Sequence, residues 1–299
     1  MEKTLENESH RKLAIFLLIL ITISWGSTFI ITKTITNQVP VHFFLGLRFL
    51  LALIPFIPFL PHLKQINLHE LKVGLLAGVI YFFSILVQTY GLQTTTAGKG
   101  GFITGLNTVI VPFLAWLGFH KKIEKRIWMA VVLSCVGMGF LLLEGESAEV
   151  FIGDLLVLLC AFGFAFYIIY VDRDVHSVDI YNYLIIQLTV IMSMSFLFSG
   201  MLQEEFTVTD HNAAFWLIML YMGAIAGGLT FFIQNWGEKQ VGAAQTAIIF
   251  TLEPVFAVFF GFLLGGEILT ILGWLGCILI FIAIIITVVK KERNQQPSQ

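Results

Sequence analysis

Charge is scarce in this chain. Asp, Glu, Lys and Arg make up 12% of its 299 residues, where soluble domains carry about 25%. Apolar residues make up 58%, and the mean hydropathy is +0.89. Such a composition cannot clothe a water-facing surface, so a soluble globular protein is excluded and a polytopic membrane protein is expected. Cysteine is also sparse. Cys135, Cys160 and Cys277 lie inside apolar runs with no CxxC or Cys/His spacing, so they read as small hydrophobes. No disulfide framework, metal site or cofactor is expected. The seven histidines sit in tails or at run ends and read as solvated or interfacial. No GxSxG, HExxH or Walker motif occurs, and no pair of intramembrane aspartates. An enzyme is therefore not expected.

What the chain does have is apolar length. A membrane crossing needs about 20 mostly apolar residues, and ten runs qualify, at roughly 13–33, 41–61, 72–92, 99–119, 127–143, 153–172, 180–200, 213–236, 241–264 and 268–289. The connections are too short for a soluble domain. The N-terminus, MEKTLENESHRK, is charged in both signs and has no small-residue cleavage site after its run, so the first run reads as an uncleaved span. With both termini in the cytoplasm, fourteen of the seventeen Lys and Arg fall on the inner side, Lys33 and Lys99 fall outside, and Arg48 lies within a span. Basic residues favour the inner side, so that orientation is expected.

An internal repeat follows. A shift of 146 residues sets Gln88 on Gln234, Gly91 on Gly237, Leu106 on Leu252, Phe113 on Phe259 and Trp128 on Trp274. The same shift sets Asn107 on Glu253. Earlier spans need a shift of about 139, which sets Arg48 on Gln187. The halves, 13–143 and 153–289, then hold five spans each, with cytoplasmic tails at 1–12 and 290–299. An odd number of spans turns the second half upside down. The expected fold is an all-α membrane protein of ten transmembrane helices in two inverted five-helix repeats, with both termini cytoplasmic. Inverted repeats recur in transporters, with the site near the midplane where the halves meet.

The residues WGSTFIITK at 25–33, Arg48 in the second span and LEPVFAVFFGFLLGGE at 252–267 resemble the EamA-type permeases of the drug/metabolite transporter superfamily. The resemblance covers residues 13–289 as two tandem units. It implies a multi-pass carrier of the cell membrane with a central cavity, exporting amino-acid-like metabolites or drugs. One departure is visible: the fourth span closes on His120 and Lys121 where Glu267 closes the ninth.

Several residues are candidates for the translocation path. Glu253, followed by Pro254, is an ionisable group in the middle of a span, where a charge costs about 2.5 kcal/mol or more. It either exchanges a proton during transport or serves as a hydrogen-bond hub for backbone freed by the proline. Arg48 either binds a substrate carboxylate through its fork or snorkels outward. Lys33 favours snorkelling. Gln88, Gln234 and Asn235 are amides that join helices or meet a polar solute. Trp25 and Tyr81 could line a cavity, and Asn107 is the symmetric partner of Glu253. GxxxG pairs such as Gly74/Gly78 and Gly223/Gly227 read as close helix contacts.

The expected function is a secondary-active transporter moving a small polar or amphipathic metabolite by alternating access. The expected partners are a small-molecule substrate and the lipid bilayer, with a homodimer left open and no nucleic acid. A nucleotide-sugar or organophosphate exchanger is the alternative, and a membrane sensor or enzyme is the reading from another class.

Overall fold

The computed structural model describes residues 2–119, 125–143, 148–174, 178–205, 212–241, 246 and 249–288. Among them there are only helices, turns and loops. The helices are α1 (Glu2–Thr36), α2 (Val41–Ala52), α3 (Leu68–Thr94), α4 (Ala97–Gly105), α5 (Asn107–Phe119), α6 (Lys125–Leu143), α7 (Ala148–Asp174), α8 (Ile180–Met201), α9 (Ala213–Leu220), α10 (Thr230–Val241), α11 (Glu253–Gly265) and α12 (Ile271–Val288). A 3-10 segment, Ile54–Gln65, follows α2, and a π segment, Tyr221–Leu229, joins α9 to α10.

Five described helices are long and apolar enough to cross a membrane, and a sixth if α2 and the segment after it count as one bent span. That bend is 52° and has a covalent cause. Pro55, Pro58 and Pro61 recur every third residue, and each removes a backbone donor from an α ladder. Three residues per turn is the 3-10 period.

Two further breaks lie at related places. The run expected at 99–119 is interrupted at Leu106, whose N–H bonds the Ile103 carbonyl at 3.1 Å before α5 starts at Asn107. The Leu252 N–H bonds the Ile249 carbonyl at 3.0 Å before α11 starts at Glu253. The 146-residue shift pairs these positions. Glu253 is thus the first residue of a helix and not the middle of one, which corrects the reading of an unbroken span. Pro254 falls in the first turn of α11, where its missing N–H breaks no hydrogen bond.

Packing is close because glycines leave room for side chains of the facing helix. Gly74 and Gly78 of α3 rest on Ile186 and Val190 of α8, and Gly101 rests on Ala257. α3 lies against α7 and α8, α1 against α11 and α10, and α6 against α12. Hydroxyls within the bundle, such as those of Thr22, Thr28, Ser84, Thr89 and Ser195, donate to carbonyls three or four residues back on their own helices. Their polarity is satisfied locally and marks no site.

Candidate functional site

Arg48 sits about 10 Å along α2 from Val41, at 1.5 Å per residue. It is 9% exposed. Among the described residues its guanidinium makes no hydrogen bond and no ion pair, and its Nε has no partner. Its guanidinium carbon lies 5.8 Å from the centroid of the Phe49 ring. Tyr81 and Tyr221 lie close enough to interact with it electrostatically. Arg48 therefore does not snorkel, because α2 buries it against the rest of the bundle.

The neighbour Tyr221 is placed by the π segment. Gly223 of that segment meets the Arg48 carbonyl and Leu51, and Gly228 meets Ala52 and Pro55. A side chain at either glycine would hold the segment away from α2. The Tyr221 hydroxyl is 2.7 Å from Ser27 Oγ and 3.1 Å from Ser24 Oγ. Such π segments arise often at functional positions.

Tyr81 stands among rings. Phe164 is 5.1 Å, Tyr167 5.2 Å and Phe231 6.1 Å away by centroids. The Tyr167 hydroxyl donates to Gln187 Oε1 at 3.1 Å and meets the Tyr183 hydroxyl at 2.8 Å. Gln187, which the 139-residue shift pairs with Arg48, keeps a buried Nε2 with no described partner. Trp25 reaches the second half: its indole N–H donates to the Ala226 carbonyl and to Thr230 Oγ1, both at 3.1 Å. Its ring lies 5.1 Å from Phe250.

Glu253 is half-buried at the start of α11 and acts electrostatically on Tyr81 and Cys160. The helix start places it where the backbone dipole favours a negative group. Asn107, half-buried at the start of α5, accepts a hydrogen bond from Thr108 Oγ1 at 3.2 Å. Gln88 donates to Thr104 Oγ1 at 2.9 Å, so one of its amide hydrogens joins α3 to α4. Gln234 is half-buried on α10. The Asn235 side chain lies outside the described set. Arg48, Tyr81 and Glu253 are thus brought into one region, with Trp25 joined to it through Phe231, 6.4 Å from Trp25. Gln88 faces another helix.

The sequence reading missed a second feature. Among the described residues, two ion pairs and one histidine–carboxylate hydrogen bond join residues before 143 to residues after 153, all at the end of the bundle where α1 finishes and α4 begins. Lys33 Nζ meets Glu267 Oε1 at 2.9 Å, His42 Nδ1 meets Glu204 Oε1 at 2.7 Å, and Lys99 Nζ meets Asp154 Oδ2 at 2.6 Å. This corrects two expectations. Lys33 is paired and not snorkelling, and His42 is buried at 4% exposure and not solvated. Two of the carboxylates also finish helices of the first half. Glu267 accepts from the N–H groups of Ala97 at 2.7 Å and Gly98 at 3.4 Å. Glu204 accepts from Phe43 at 2.9 Å and His42 at 3.4 Å. The first turn of a helix leaves such donors free, and Pro40, the residue before α2, supplies no side-chain cap. Burial works to raise the pKa of Glu204, but the hydrogen bonds from His42, Ser199 and the Phe43 N–H outweigh it and hold the carboxyl below its ordinary range. Asp154 could have been found from sequence, because an acid just inside an apolar run is rare. Tyr221 carried no such signal, since its role depends on the π segment.

The fold and this interior define a multi-pass helical membrane protein with ionisable groups held between its halves. The chain belongs to the EamA-like transporter family, whose model matches residues 12–143 and again 151–289. It is a membrane transporter and resides in the cell membrane. It is 31% identical over 269 residues to an uncharacterized transporter of Archaeoglobus fulgidus, covering 90% of this chain and 83% of that one. It is 26% identical to the uncharacterized transporter YoaV of Bacillus subtilis, covering 88% and 92%. It is 25% identical to the biotin transporter of Salmonella typhimurium, covering 78% and 79%. A protein crystal structure aligns with a TM-score of 0.63 over 91% of this chain and 94% of that one, at 17% identity, a likeness of fold.

Proposed function

We propose that the chain is a secondary-active carrier that exports a small polar or amphipathic metabolite by alternating access. In this reading ten membrane crossings form two inverted halves, 13–143 and 153–289, with both termini and the tails in the cytoplasm. The broken runs 99–119 and 241–264 each count as one crossing. The ion-paired end then faces outward, and these three contacts are the ones that separate when the outer side opens. The solute passes the region of Arg48, Tyr81, Tyr221 and Glu253, and Glu253 carries the coupling proton.

The observation that carries this reading is the placement of Arg48 and Glu253. Both are ionisable, both lie within an apolar bundle, and neither forms an ion pair among the described residues, whereas Lys33 and Lys99 at the other end are paired. A fold that needed these groups only for stability would be better served by apolar side chains. The name of the Salmonella relative, a biotin transporter, supports a small organic solute. An organophosphate exchanger is disfavoured, since Lys33 and Lys99 already hold carboxylates and leave Arg48 as the free cation among the three.

The test is release from proteoliposomes loaded with a cell metabolite extract, read by mass spectrometry. Selective loss of a few compounds relative to protein-free vesicles is expected. Equal retention of every compound would overturn the reading. Reporter fusions after residues 122 and 299 should report cytoplasm, and one after residue 147 the outside. A cytoplasmic signal at 147 would remove the inverted arrangement.

A further inference from the structure

Among the described residues, the Arg48 guanidinium is a buried permanent charge whose polar demand is unmet. It is 9% exposed, it has no hydrogen bond or counter-ion among the described residues, and its Nε is buried without a partner. Its polar neighbours are two tyrosines, Tyr81 on α3 and Tyr221 on the π segment. An arginine is never deprotonated at working pH, so this site holds a permanent positive charge in an apolar bundle. A planar fork of donors matches the two oxygens of a carboxylate. We propose that Arg48 is the receptor for the carboxylate of a monocarboxylate ligand with an apolar or aromatic body, with the Tyr81 and Tyr221 hydroxyls beside it. The inference rests on the transport reading for its site and adds the ligand class.

The valence and the body both follow from neighbours. A phosphate monoester carries close to two charges at neutral pH, and Lys33 and Lys99 are occupied by Glu267 and Asp154. Glu253, in the same region and acting on the same Tyr81, opposes a second negative charge. The side chains that link Tyr81 to Trp25 are aromatic. Phe231 lies 6.1 Å from Tyr81 and 6.4 Å from Trp25, and Phe250 lies 5.1 Å from Trp25. Rings of this kind receive apolar surface and give no partners to a second ionised group.

The test uses the purified full chain in detergent at pH 7.5, with matched pairs that differ only in charge: 3-phenylpropionate against 3-phenylpropanamide, hexanoate against hexanamide, and phenyl phosphate as the dianion. Binding is read by calorimetry. At least one acid should bind tenfold or more tighter than its amide, and phenyl phosphate should bind more weakly than that acid. Arg48→Met should abolish the acid preference. Because it removes an uncompensated charge, the ligand-free variant should also melt no lower than wild type, which a structural arginine would not allow. Arg48→Gln is the second variant and should lose the preference in the same way. Equal binding of acids and amides, an acid preference that survives Arg48→Met, or phenyl phosphate binding tighter than the acids would overturn the proposal. Counterflow of labelled 3-phenylpropionate in proteoliposomes separates the two readings. An acid that binds through Arg48 without being carried leaves the site standing and removes transport, and carried solutes with no acid preference do the reverse.

Discussion

Asp154 of α7 and Lys99 of α4 form an ion pair of 2.6 Å in which the side chains are 0% and 2% exposed. The Thr95 hydroxyl donates to the other carboxylate oxygen. The pair ties the start of the second half to the broken fourth run. Removing one partner of such a pair leaves a charge stranded in a medium that cannot solvate it, which costs about 3–5 kcal/mol. Asp154→Asn should therefore lower the melting temperature strongly, and Asp154→Leu with Lys99→Met should recover most of the loss. Thermal unfolding in detergent measures both. A single mutant as stable as wild type would mean that water reaches the pair.

Glu204 gives a pH dependence. Its carboxyl is held below the ordinary range in the folded protein, so folding favours the ionised form. That contribution is fully present above the unfolded pKa of about 4.3 and is lost as the pH falls through the lower folded value. Melting temperatures of wild type should drop on acidification below about pH 4, and Glu204→Gln should be less stable at neutral pH with a flatter acid limb. Parallel curves for the two proteins would show that the cap on α2 contributes nothing.

Gly223 is where the π segment meets α2. A Cβ there would stand 2.6 Å from the Arg48 carbonyl and against Leu51, so the helices must separate. Overpacking of this kind costs about 1–3 kcal/mol and would carry Tyr221 away from Arg48. Gly223→Ala should melt lower and lose solute flux. Gly139→Ala, where a Cβ meets nothing within 4 Å, should change neither.

Glu253→Gln keeps the shape of the side chain and most of its hydrogen bonding while removing the charge change. The variant should exchange solute down a gradient but lose accumulation driven by a pH gradient. Flux into proteoliposomes with and without an imposed gradient decides it. A response equal to wild type would take the coupling role from Glu253, and failure to insert would make it a structural hub.

The apolar runs, the weak repeat and the family motifs were legible in sequence because each is local or periodic. Length and hydropathy report a membrane helix directly, and the LEPVF segment carries its own proline. Leu106 shows the limit. The repeat pairs it with Leu252, but no proline marks the break before Asn107, so only the folded backbone shows it. Lys33 shows a second limit. A lysine at a span end reads as snorkelling until Glu267, 234 residues later, is placed 2.9 Å away.

By itself, then, the sequence determined that this is a multi-pass helical membrane protein of two related halves, since burial in lipid demands long apolar runs whatever the packing. The tertiary structure alone decided which ionisable groups have partners. Lys33, His42 and Lys99 found carboxylates across the two halves, and Arg48 found two tyrosines and no counter-ion among the described residues. Charge pairing depends on distances between residues far apart in the chain. Those distances are set by helix packing, down to the glycines that let α2 and the π segment touch.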